Sequence, residues 1–217
     1  MSTRETQNKI IKAAIDLFNE VGASSASTNK IAELAGISKG NLHYHFPSKR
    51  EIIFAIWGSM ELEINSWHKD SVEPTIQSMA RMVLRQYRQI WKYRFFYREL
   101  NILLEQDAEL KYRFQRVRRI RMEDVFLFFK SMAARGVIKD SISDVELREL
   151  IRISWIVSDF WLSYVAVEND HIDMTTMQEG YRLILQLFRP VFTTRAVREI
   201  PDSFGVFSPE EELAVPV

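Results

Sequence analysis

Residues 28–46, TNKIAELAGISKGNLHYHF, decide the fold. Ile31, Ala32 and Ala35 place apolar side chains at i, i+1 and i+4, a spacing that lines one face of a helix. Gly36 stands where that helix must stop, because glycine takes the left-handed conformation beyond a helix end without a Cβ clash. Ile37 follows as an apolar plug, and Ser38 can cap a second helix through its side-chain oxygen. Leu42 and Phe46, four apart, pin down that second helix, which is otherwise polar and ends in aromatics. Ala32 is small enough for two helices to cross steeply at short distance. A small residue, a turn glycine, a plug, a cap and a short polar helix in register point to a helix-turn-helix rather than an ordinary helical hairpin. The second helix of that motif enters the DNA major groove. It would expose Lys39, Gly40, Asn41, His43, Tyr44 and His45 while Leu42 and Phe46 face inward. Lys39 can reach guanine acceptors, Asn41 can pair with adenine, and His43 can read a base edge.

The flanks extend the pattern. Upstream, KIIKAAIDLFNEVG (residues 9–22) is amphipathic, with Ile10, Ile11, Ala14, Leu17, Phe18 and Val21 on one face and Gly22 to close it. Downstream, PSKREII (47–53) follows Phe46 at once. A helix, a glycine, Ser/Thr, a helix-turn-helix, an aromatic pair, then Ser-Lys and a long helix resemble the DNA-binding head of the TetR family of transcriptional regulators, over residues 6–57. Ala23 stands where many relatives carry an aromatic. The segment GNLHYHF is most similar to a subgroup reading Gly-Asn-Leu-Tyr-Tyr-His-Phe, with His43 in place of a tyrosine. The resemblance implies that Ser27, Thr28, Tyr44 and Lys49 hold phosphates on either side of the recognition helix. It also implies an all-α fold: an N-terminal three-helix head and a larger helical body that binds a small-molecule effector and dimerises. Thr28 can also cap the first helix of the motif, where its hydroxyl and the first N–H groups suit a phosphate oxygen.

Composition fits an intracellular protein. A chain of 217 residues can bury a sizeable core, and the absence of Cys excludes disulfides and thiolate metal sites. The polar start, MSTRETQNK, is unlike a secretory leader, and no apolar run is long enough to span a membrane. The expected location is the cytoplasm, at the nucleoid. Formal net charge is +0, but residues 1–50 carry seven Lys and Arg against four acids, a net +3, which leaves −3 for the remainder. A basic head on an acidic body orients the molecule on a polyanion. Such modest charge suits two heads acting together, hence a homodimer on a palindromic operator.

The domains expected are the head at 1–50, a helical regulatory and dimerisation body at 51–199, and a flexible tail at 200–217, where Pro, Gly and acids mix. Helices are expected from Lys49 to Trp67, from Pro74 to Tyr93, from Arg94 to Glu105 and from Ala108 to Ala134. Two more follow, from Asp144 as cap to Glu168 and from Thr175 or Thr176 to Val197. The last two are apolar on more than one face, so they suit a four-helix bundle with a second copy. Trp155, Trp161, Ile184 and Phe188 are the candidate seam.

Aromatic residues in YRQIWKYRFFYRELN (87–101) and later helices could line an effector cavity, the small-molecule site that the resemblance implies. Tyr87, Trp91, Phe95, Arg98, Phe126, Phe129, Trp155 and Asp159 are the candidates, and core filling is the alternative for each. Asp159 is a carboxylate in an apolar helix that could pair with Arg98, Arg152 or a cationic ligand, or lie at a wet edge. The basic run KYRFQRVRRIR (111–121) is either an anion site or, as favoured, a salt-bridged helix face. No phosphate loop or nucleophile elbow is present. His43 and His45 point to different faces, and His68 and His171 are isolated, so no enzyme, metal or cofactor is expected. Two readings remain: a repressor released by a small-molecule effector, or an architectural DNA-binding protein without one.

Overall fold

The computed structural model describes residues 2–66, 73–169 and 172–198. All regular structure among them is helical apart from one antiparallel bridge between Ile138 and Phe192. The tail expected at 200–217 lies outside the described residues, as do His68 and His171. No described helix is long and apolar enough to cross a membrane. The chain divides into two compact units. One is Met1–Asp70 with Lys92–Val117, and the other is Ser71–Trp91 with Arg118–Val217.

The first unit begins with α1 (Thr3–Val21). The helix starts earlier than its apolar periodicity suggested, because Ser2 and Glu5 form a reciprocal capping box. Ile10, Ala13, Ala14, Leu17 and Phe18 are its buried face. α1 ends at Gly22, whose φ of +84° suits glycine. α2 (Thr28–Leu34) and α3 (Lys39–His45) form the helix-turn-helix. Gly36, at φ +67°, turns the chain, while Ile37 N–H donates back to Ala32 (3.0 Å). Ser38 caps α3 by accepting from Asn41 N–H at 3.1 Å. α2 is capped by Ser27, which accepts from Lys30 N–H, rather than by Thr28. Ile31, Ala32 and Leu42 are almost fully buried, so removing Leu42 would expose the centre of this small core.

α4 (Lys49–Ser66) stacks Trp57 on Phe96 at 5.4 Å and packs it against Phe114 at 5.6 Å. The single helix expected over 94–105 is two, α6 (Arg94–Arg98) and α7 (Leu100–Gln106), which meet at Glu99. Asn19 of α1 explains the fixed start of α6. Its amide donates to Lys92 C=O (2.9 Å) and its oxygen accepts from Phe95 N–H (3.0 Å). Phe18 and Phe95 meet edge to face at 5.0 Å on the same contact.

The second unit holds α5 (Ile76–Lys92) to Trp91, the later part of α8 (Ala108–Ala134), α9 (Asp144–Val165), α10 (Met174–Phe188) and α11 (Thr194–Arg198). Ser143, not Asp144, caps α9 in a capping box with Glu146. Asp173 caps α10, which stops at Phe188 because Arg189–Val191, with Pro190, form a 3-10 turn. α10 packs on α9, and Trp161 donates its indole N–H to Thr176 C=O at 3.0 Å. Any side chain at Gly180 would run into Tyr87 and Trp161, so glycine sets that close approach.

Candidate nucleic-acid interface

Capping and burial aim the recognition helix. Leu42, fully buried, and Phe46, 7% exposed, anchor α3 from beneath. Lys39, Gly40 and Asn41 are exposed, His43 and His45 are half-buried, and Tyr44 holds its ring 81% exposed, edge-on to His45 at 5.1 Å. Ser27 is exposed and Thr28 half-buried at the start of α2. All these residues stand on one three-helix head.

Lys49 is differently placed. Its ammonium donates to the carbonyls of Ala23 (2.5 Å), Ser24 (3.0 Å) and Ala26 (3.0 Å), which uses all three of its hydrogens. A phosphate contact from Lys49 would have to displace one of them. The same loop is gripped from the other side by Glu99. Its carboxylate accepts from Ala23 N–H (2.8 Å), Ser24 N–H (3.2 Å) and the Ser24 hydroxyl (2.9 Å). A Cβ on Gly22 would collide with that carboxylate, a second reason for glycine there. Arg98 completes the grip by donating to Asn19 C=O at 2.6 Å. Sequence reasoning missed Glu99 and Asn19; the only hint was an acid ending an aromatic-rich run.

Four arginines of the basic run of α8 face acids. Arg113 and Arg116 both clamp Glu61 of α4, at 2.5 and 2.9 Å. Burial alone would raise the Glu61 pKa, but hydrogen bonds from Arg113 and Arg116 overcome it and hold the carboxyl below its usual range. Arg121 lies 3.3 Å from Asp124. Glu61, Asp159 and Arg121 are themselves buried.

The effector candidates fall in both units. Phe95 and Arg98 belong to the first unit, where Phe95 packs on Phe18 and Arg98 holds Asn19. Tyr87, Trp91, Phe126, Phe129, Trp155 and Asp159 belong to the second. There Phe129 packs on Phe188 at 4.6 Å, and Arg148 covers Phe126 at 3.6 Å. Asp159, 2% exposed, faces Arg118 rather than Arg152, at 3.6 Å, too long for a hydrogen bond. Its Oδ2 accepts no hydrogen bond, and desolvation raises its pKa to about 6 against the opposing charge of Arg118. Arg118 also lies 6.0 Å over the Trp155 ring.

Of the seam candidates, Trp161, Ile184 and Phe188 are buried within the second unit's own core, and Trp155 is half-buried. The outward apolar stripe is instead Ile153, Ile156, Phe160 and Tyr164 of α9, with Leu183 of α10. A groove of about 540 Å³ runs between them, lined by Ile156, Phe160, Tyr164 and Leu183 and rimmed by Glu168 and Glu179. Among the described residues, no group of His, Asp or Glu could hold a metal ion.

The family model described as "Bacterial regulatory proteins, tetR family" matches residues 10–56, and the TetR model described as "Bacterial transcriptional repressor" matches residues 60–200. The chain is 39% identical over 61 residues to the class A tetracycline repressor protein from transposon 1721 of Escherichia coli, which is 28% of each chain. It is 30% identical over 92 residues to the transcriptional regulator TtgR of Pseudomonas putida, covering 40% of this chain and 43% of that one. These matches span less than half the length of the curated relatives. A TetR-family regulator from Marinobacter aquaeolei superposes with a TM-score of 0.79 at 26% identity, over 90% of this chain and 93% of that one.

Proposed function

The chain belongs to the TetR family of bacterial transcriptional regulators, and on that premise we propose a homodimeric cytoplasmic repressor that leaves a palindromic operator when a small molecule binds its helical body. The observation that carries the reading is the exposed face of α3, held by a buried base and by a loop gripped from two sides. Lys39, Asn41 and His43 read bases, with Gly40 allowing close approach. Ser27, Thr28, Tyr44 and His45 hold the backbone, and Lys49 serves by fixing the loop before α2.

Dimerisation uses the outward stripe of α9 and α10. Such a run of exposed apolar side chains favours a self-complementary partner surface. The effector site lies in the second unit around Trp155 and Asp159, where one buried carboxylate oxygen, Oδ2, lacks a hydrogen bond. α8 carries Arg118, which faces Asp159, and also Arg113 and Arg116, which clamp α4. A ligand that displaces α8 therefore acts on the helix that begins at Lys49. It must bind the released state more tightly to have any effect.

Selection from random duplex DNA by the purified protein, followed by footprinting, tests this reading. A two-fold symmetric consensus with a matching footprint is expected. Uniform binding without consensus would instead make the protein an architectural DNA binder.

A further inference from the structure

His43 makes one contact that decides what its ring can read. Its Nδ1 lies 3.3 Å from the carbonyl oxygen of Pro47, four residues further along. A carbonyl oxygen only accepts, so Nδ1 carries the hydrogen of that bond. In the neutral imidazole the other nitrogen, Nε2, then has no hydrogen and presents a lone pair. Pro47 is well placed to fix the ring. It sits between the buried Phe46 and Ser48, whose hydroxyl accepts from Glu51 N–H (3.3 Å) at the start of α4. His43 is half-exposed, three and four positions beyond the exposed Gly40 and Lys39 on the same face of α3.

We propose that His43 reads its base with fixed polarity: neutral, with Nε2 as acceptor, it selects adenine or cytosine and rejects guanine and thymine. This rests on α3 being the recognition helix. In the major groove adenine N6 and cytosine N4 donate, whereas guanine offers N7 and O6 and thymine offers O4, all acceptors. An acceptor on the protein gains a bond from the first pair and meets lone pairs on the second. A tyrosine at this place would both donate and accept, so it would leave the choice open. The Pro47 carbonyl removes that freedom.

Two measurements test the proposal. Nitrogen-15 NMR of the free full-length protein at about pH 8 reports the tautomer directly. Hydrogen on Nδ1 of His43 is expected, and hydrogen on Nε2, or an even mixture, would overturn the proposal. Selection from random duplexes is then run with the wild type, H43A, H43Q and N41A, each checked for an unchanged melting curve. H43A should lose preference at one position per half-site, where the wild type requires adenine or cytosine. Guanine or thymine there should weaken wild-type binding roughly five- to ten-fold, the worth of one net hydrogen bond, and should leave H43A unaffected. Purine in place of the adenine, or 2-pyrimidinone in place of the cytosine, removes only the amino donor and should cost the wild type the same factor. H43Q can turn either end of its amide outward, so it should bind while tolerating all four bases. A wild-type requirement for guanine or thymine would overturn the fixed polarity. If N41A relaxes the consensus and H43A does not, His43 is no reader although α3 remains the recognition helix. Absence of any wild-type consensus would remove both readings together.

Discussion

An ammonium has three hydrogens, and Lys49 gives all three to carbonyls of the loop that leads into α2. The resemblance of the sequence to its family suggested a phosphate ligand at this position, because sequence fixes a residue's place on a helix but not where a flexible four-carbon stem lies. Lys49→Met keeps the stem and removes the donors. It should weaken binding to all duplexes by loosening the head while leaving the slope of affinity against salt unchanged. A slope lower by about one would put the ammonium on a phosphate. Asn41→Ala should behave oppositely, costing about 1–3 kcal/mol on the selected operator and almost nothing on random DNA. Equal losses on both would reduce Asn41 to a positioning contact. Asp159 gives a pH signature. Burial raises its pKa to about 6, so the folded state favours the protonated acid. Its contribution is therefore fully present below the ordinary carboxylate range and is lost as pH rises through about 6. Asp159→Asn should be more stable than the wild type at about pH 7, by up to roughly 3 kcal/mol, with the gap closing towards about pH 4. Urea denaturation of both proteins across that range measures it, and a gap that does not change with pH would contradict the assignment.

At the scale of elements, the helix-turn-helix was legible because its signals are local. Gly36, Ser38, Leu42 and Phe46 act within a few residues of one another, and each has the role that its chemistry suggested. The body was less so. α6 and α7 part at Glu99, whose backbone is non-helical and whose carboxylate is occupied 75 residues upstream at Ser24. No periodicity within 94–105 could show that. The basic run of α8 had two readings in sequence, and Glu61, 52 residues before Arg113, engages two of its arginines. α9 was read as apolar all round, yet which side chains turn inward depends on its packing. Trp161 closes on Gly180, and this leaves Phe160 and Tyr164 outside. The outward stripe makes its own prediction. Ile156→Arg or Leu183→Arg changes an exposed site, so folding should survive while the dimer is lost to charge repulsion across the seam. Light scattering that still shows a dimer for both variants would move the interface elsewhere.

At the scale of the whole molecule, affinity depends on two heads engaging one duplex. Successive major grooves on one face lie about 34–36 Å apart. A head carrying a net charge of only +3 over residues 1–50 has limited electrostatic attraction of its own. Linking two such heads raises the effective concentration of the second into the millimolar range, so the pair should bind about 100-fold or more tighter than one head. The direct measurement is a titration of the purified protein against the selected palindrome and against the same duplex with one half-site scrambled, with the mass of each complex recorded. Two chains are expected on the palindrome, bound at least about 100-fold more tightly than the single half-site. One chain bound equally tightly to both duplexes would contradict joint engagement by two heads.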